Sequence, residues 1–71
     1  MRIDDPDIYF GEKLKVYVTD AKPIICKLYG YDYDFDDDGN EFLEFDVENE
    51  LGLIASLTED EILCIEVLSN G

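Results

Sequence analysis

The sequence predicts an all-β domain: a small, five-stranded, bent antiparallel barrel entered through a short helical turn. Three observations carry that expectation. Apolar and polar residues alternate with the strand period of two through much of residues 13–68. Turn-forming clusters, "TDAK", "DDDGN" and "TEDE", break the alternation at short intervals. The apolar phase also switches at Gly30, which marks a bulge or sharp bend of the kind that lets a small sheet curl on itself. Seventy-one residues make one domain, with 1–10 as the entry turn, 11–68 as the barrel and 69–71 as a tail. A chain of this length buries only about 60% of its unfolded surface, so assembly is an expected source of extra stability.

Each element has its own signal. In "DDPDIYFG", Asp5 is a candidate N-cap, Pro6 suits the first helical position and Gly11 suits the end. In "EKLKVYVTD", Leu14, Val16 and Val18 share one face while Lys13, Lys15, Tyr17 and Thr19 share the other. Pro23 can open the second strand without donating to its ladder. That strand presents Ile24, Cys26 and Leu28 on one face, then Tyr31, Tyr33 and Phe35 after the switch at Gly30. "EFLEFDVENE" sets Leu43, Phe45 and Val47 against Glu44, Asp46 and Glu48. "LGLIASL" is a nearly continuous apolar fourth strand, and "ILCIEVL" is a fifth.

Charge is unevenly divided. The chain has 19 acidic and 5 basic residues, for a formal net charge of −14. All five bases (Arg2, Lys13, Lys15, Lys22, Lys27) precede residue 28, where five acids balance them; the remaining fourteen acids follow with no base among them. A nucleic-acid backbone and an anionic membrane are both disfavoured by that half. Hydrophobic content of 46% with nine aromatics argues against a disordered acidic tail. Cys26 and Cys64 lie inside apolar runs and read as small core residues. "MRIDDPDIYF" lacks an apolar signal region and no stretch is long enough to span a bilayer, so the cytoplasm is the expected compartment.

"VTDAKPIICKLYGYD" places Asp20, Lys22, Ile24, Cys26, Leu28 and Asp32 at the spacing of the first motif of the Sm-like (LSM) family. "EDEILCIEVL" is similar to that family's last strand, an acidic turn followed by alternating aliphatics. From Gly11 to Leu68 the chain resembles the family's small, acidic bacterial members, with Ala21 and Cys26 where glycine is usual. The resemblance implies a strongly bent five-stranded sheet after an N-terminal helix. It also implies ring-type homo-oligomers in which the fourth strand of one subunit pairs with the fifth of the next. On that basis residues 51–57 and 62–68 form the expected interface, through Leu51, Leu53, Ile54, Leu57, Leu63, Ile65 and Val67.

The resemblance brings RNA binding as an alternative. Asp32 matches the family's aspartate, Phe35 is available to stack a base, Asp36 stands where asparagine is usual and Gly52 keeps the second motif's glycine. Leu51 replaces the arginine, and an aspartate cannot offer the donors of an amide. A second alternative is weak calcium binding in "DYDFDDDGNEFLEF", with Asp34, Asp36, Asp38 and Glu44 as oxygen donors. An EF-hand is excluded there, because its last ligand position falls on Phe45, Glu44 comes one residue early, and the flanks are strand formers. A hairpin with an Asp-Gly turn explains the same letters. Calcium in this reading would relieve repulsion between copies through the loop at 32–41. The chain has no histidine and no phosphate-binding glycine loop, and the Glu59, Asp60, Glu61 cluster reads as a solvated turn capped by Thr58. The expectation is therefore a non-enzymatic, self-assembling interaction module without a cofactor, whose acidic surface favours basic protein partners.

Overall fold

The computed structural model describes residues 1–68, so the tail expected at 69–71 lies outside the described residues. Five antiparallel strands form one sheet: β1 (Lys13–Val18), β2 (Ile24–Phe35), β3 (Glu41–Asn49), β4 (Ile54–Thr58) and β5 (Ile62–Val67). Their order across the sheet is β4-β3-β2-β1-β5. The all-β, five-stranded expectation is met, but the sheet does not close. A ladder closes only when its first and last strands meet, and here the turn after Thr58 carries β5 across to β1, leaving β4 and β5 as two open edges. Among the described residues no helix is long and apolar enough to cross a membrane.

The entry segment is a single 3-10 turn, Pro6–Tyr9, with proline at its start where a missing N–H is no loss. Asp5 precedes it but makes no side-chain cap, a correction to the sequence reading. So short a turn is closed by its own backbone instead, Phe10 N–H donating to the Asp7 carbonyl at 3.2 Å. Gly11 follows at φ +77°, a conformation that favours glycine, and its N–H donates to the Leu28 carbonyl at 2.9 Å. That bond lays the turn against β2.

The phase switch at Gly30 is a bulge. Leu28 lies opposite Val47 and Gly30 opposite Asp46, so Tyr29 is the extra residue. The insertion returns Tyr31 and Tyr33 to the core side, opposite Phe45 and Leu43. A second irregularity falls between β1 and β5, where Tyr17 faces Cys64 but Val18 faces Ile62, leaving Leu63 unmatched.

The core draws one or more side chains from every strand: Leu14, Val16, Cys26, Leu28, Leu43, Phe45, Val47, Leu57 and Ile62. Ile3 joins them from the entry segment, and Tyr9 meets Phe45 edge to face with ring centroids 6.2 Å apart. Full burial of such a side chain is worth about 1.5–3 kcal/mol, so these few residues hold the sheet together. Cys26 sits among them as expected, and burial pushes its thiol pKa up. Cys64 does not: it is exposed, because the bulge at Leu63 turns it to the outer face beside Tyr17.

Candidate functional site

Two regions stand out as surfaces able to act on something else: the open edges, and the β2–β3 hairpin that projects between them in the sheet order. At the edges, register sorts the apolar residues that sequence alone left together. Leu57 lies opposite Phe45 and is 7% exposed, so it belongs to the protomer's own core and leaves the expected interface set. Ile65 lies opposite Val16 and is half-buried against that core. The other five are open to solvent: Leu51 at 84%, Leu53 and Ile54 at 63%, Leu63 at 59% and Val67 at 48%. Leu51, Leu53 and Ile54 flank the start of β4, and Leu63 and Val67 belong to β5. Both unpaired edges thus carry exposed aliphatics, the arrangement soluble proteins usually avoid.

β4 starts later than "LGLIASL" suggested because Asn49 organises residues 49–53 as a turn. Its Oδ1 accepts the N–H groups of Leu51 and Leu53, both at 2.9 Å, and Gly52 takes φ +82°. Asp36 does the same thirteen residues earlier, accepting the N–H groups of Asp38 and Asn40 at 2.9 Å with Gly39 at φ +83°. The two turns share the pattern Asx-x-x-Gly-x, a signal present in the sequence that the alternation of apolar residues does not reveal.

This placement disperses the candidate ligand sets. Asp36 is engaged in its own turn, and Asp34 accepts the Phe35 N–H at 2.8 Å. Glu44 lies opposite Asp32, three residues along β3 from the hairpin's last pair, Phe35 with Glu41. Among the described residues no group of three or more carboxylates or thiols is placed to hold a metal ion, so Asp34, Asp36, Asp38 and Glu44 are not brought together. The set Asp32, Phe35, Asp36 and Gly52 is also divided. Asp32 and Phe35 fall on opposite phases of β2, and Gly52 lies in the turn beyond the far end of β3.

The hairpin does assemble an aromatic cluster. Tyr31 meets Phe10 on one side and Tyr33 on the other, edge to face, with centroid separations of 6.5 and 6.2 Å. Its hydroxyl donates to Asp7 Oδ1 at 2.6 Å, and that bond is the main reason its pKa is raised above the ordinary tyrosine value. On the opposite phase, Asp32 faces Glu44 directly, a like-charge pair.

The acidic turn between β4 and β5 is built as sequence suggested. Thr58 donates through both its N–H and its Oγ1 to Glu61 Oε1, at 3.1 and 2.9 Å. Glu59 was missed: its two carboxylate oxygens accept the N–H groups of Leu43 and Ile3, at 3.1 and 3.4 Å. They tie β3 to the entry segment just past the end of β4.

No family model, curated protein or solved structure matches this chain.

Proposed function

We propose that the protein is a non-enzymatic, Sm-like interaction module that assembles from identical copies, β4 of one pairing with β5 of the next. The observation that carries this reading is the coincidence of two features at the same places. β4 and β5 are the two unpaired edges of one sheet, and Leu51, Leu53, Ile54, Leu63 and Val67 line them exposed. One edge is offered to the other, so the contact is heterologous, and a rotation that closes on itself would give the ring that the resemblance implies. Each added copy hides two edges and their aliphatics, a gain for a chain whose core is this small. Every copy brings a net charge of −14, so the assembly stays strongly acidic, which speeds encounter with basic proteins and selects against acidic ones. Mass measurement in solution tests the assembly: a defined multimer is expected, and a monomer at micromolar concentration overturns it. A pull-down whose partners show neither basic bias nor salt sensitivity overturns the choice of partner.

A further inference from the structure

The core stops short of the aromatic row. Phe45 and Leu43 are buried opposite Tyr31 and Tyr33, yet Tyr33 is 48% exposed, Phe10 51% and Phe35, the next residue in phase, 63%. An aromatic ring carries 150–250 Å² of surface to bury, so holding several of them half in water in a small domain is a cost without return inside the protomer. The edge-to-face contacts at Tyr31 turn neighbouring rings so that their π faces, the negative part of the ring quadrupole, are presented in different directions.

Carboxylates border the row at both ends. Asp7 accepts the Tyr31 hydroxyl through Oδ1. Glu41 is paired with Phe35 across the hairpin, on the same face. Tyr33 also lines a groove of about 590 Å³ with Asp4, Glu41 and Asp60. Arg2 shares that groove and pairs with Asp4 at 3.0 Å.

Rings with carboxylates around them attract a cation by two mechanisms at once and repel a phosphate. A nucleic acid would stack its bases here only by bringing its backbone against those carboxylates. A second copy has only five bases against nineteen acids to offer such a row, and a single arginine among them. A basic protein segment suits both features, and arginine suits them better than lysine, since a planar guanidinium stacks on a ring while its edge reaches a carboxylate in bidentate fashion. We propose that the row Phe10, Tyr31, Tyr33, Phe35, with Asp7 and Glu41 at its ends, is the docking surface for an arginine-bearing basic segment of a partner protein. This rests on reading the chain as an interaction module, but not on its assembly, because none of Phe10, Tyr31, Tyr33 and Phe35 belongs to β4 or β5.

The test is calorimetric titration of the full chain with an arginine-glycine repeat peptide, a lysine-glycine peptide of equal charge, and oligouridine, at low and at physiological salt. The arginine peptide is expected to bind, more weakly as salt rises, and several-fold tighter than the lysine peptide. Phe35→Ala with Tyr33→Ala lowers that affinity about tenfold, as expected for losing cation–π contacts. Glu41→Gln lowers it less, and reduces its salt dependence. Both rings are substantially exposed, so the variants keep the fold, and the solution mass reports this independently. Equal affinity for the two peptides, an unchanged affinity in the double variant, no binding at low salt, or tighter binding of oligouridine each overturns the proposal. A monomeric mass with the peptide still bound would remove the assembly and leave this surface standing.

Discussion

Leu57 and Ile54 lie three residues apart on β4, and their replacements should have different consequences. Leu57 is 7% exposed against Phe45, whereas Ile54 is 63% exposed opposite Glu48. Leu57→Ala removes three carbons from the core, about 2.4 kcal/mol at about 0.8 kcal/mol each. A residual cavity would add to this, but β4 is an edge strand able to settle inward, so the expected loss is about 2–3 kcal/mol. For 71 residues the whole stability is of order 4–11 kcal/mol, so roughly a fifth or more of it would go. The melting temperature should fall by roughly 10–20 °C at 4–8 °C per kcal/mol. Ile54→Ala, by contrast, should change protomer stability by about 0.5 kcal/mol or less. Its effect should appear in the concentration dependence of unfolding, where mass action reports association. Urea denaturation of both variants at several protein concentrations separates the two. Leu57→Ala within about 0.5 kcal/mol of the parent chain would refute the register-based sorting of this strand.

Other outcomes follow from particular contacts. Asn49→Ala should cost about 1–2 kcal/mol in denaturation, since two N–H groups lose their acceptor, though water replaces part of it. Glu44→Gln should stabilise the chain by about 0.2–1 kcal/mol at low salt by relieving the pair with Asp32, with the gain shrinking as salt is added. Tyr31 is held protonated by its bond to Asp7, so its folded pKa lies above the unfolded one. The stabilisation is therefore complete below the ordinary tyrosine pKa, about 10, and is lost as pH rises through the folded value. Spectrophotometric titration should show one late tyrosine that returns toward the ordinary range in Asp7→Asn; an unchanged curve would deny the bond. Cys64 should react with a maleimide in the folded protein while buried Cys26 is protected, and equal rates would contradict the outward turn at Leu63.

Much of the sheet was legible because a half-buried strand writes its two faces into alternate residues. Leu14 and Val16, or Leu43, Phe45 and Val47, announce their side without any partner in view. Gly30 was legible for a related reason, since a bulge must break that alternation. "LGLIASL" was not, because a continuous apolar run has no phase. Only the pairing of Leu57 with Phe45 shows which residue enters the core. Cys64 failed similarly, its side decided by the extra residue at Leu63 in a ladder with a distant strand. Closure was illegible because it depends on where β5 is delivered, a long-range choice that local patterning does not encode. The acidic loop looked like a ligand set because carboxylates that accept from their own turn have the same letters as carboxylates that bind a metal.

The assembly of copies through β4 and β5 is tested most directly by native mass spectrometry of the purified chain beside Ile54→Lys, with and without calcium. The expected result is a single defined multiple of the 8.2 kDa chain that calcium leaves unchanged and that Ile54→Lys dissociates. A monomer at micromolar concentration, or a multimer indifferent to a charge placed on the exposed edge, would contradict it.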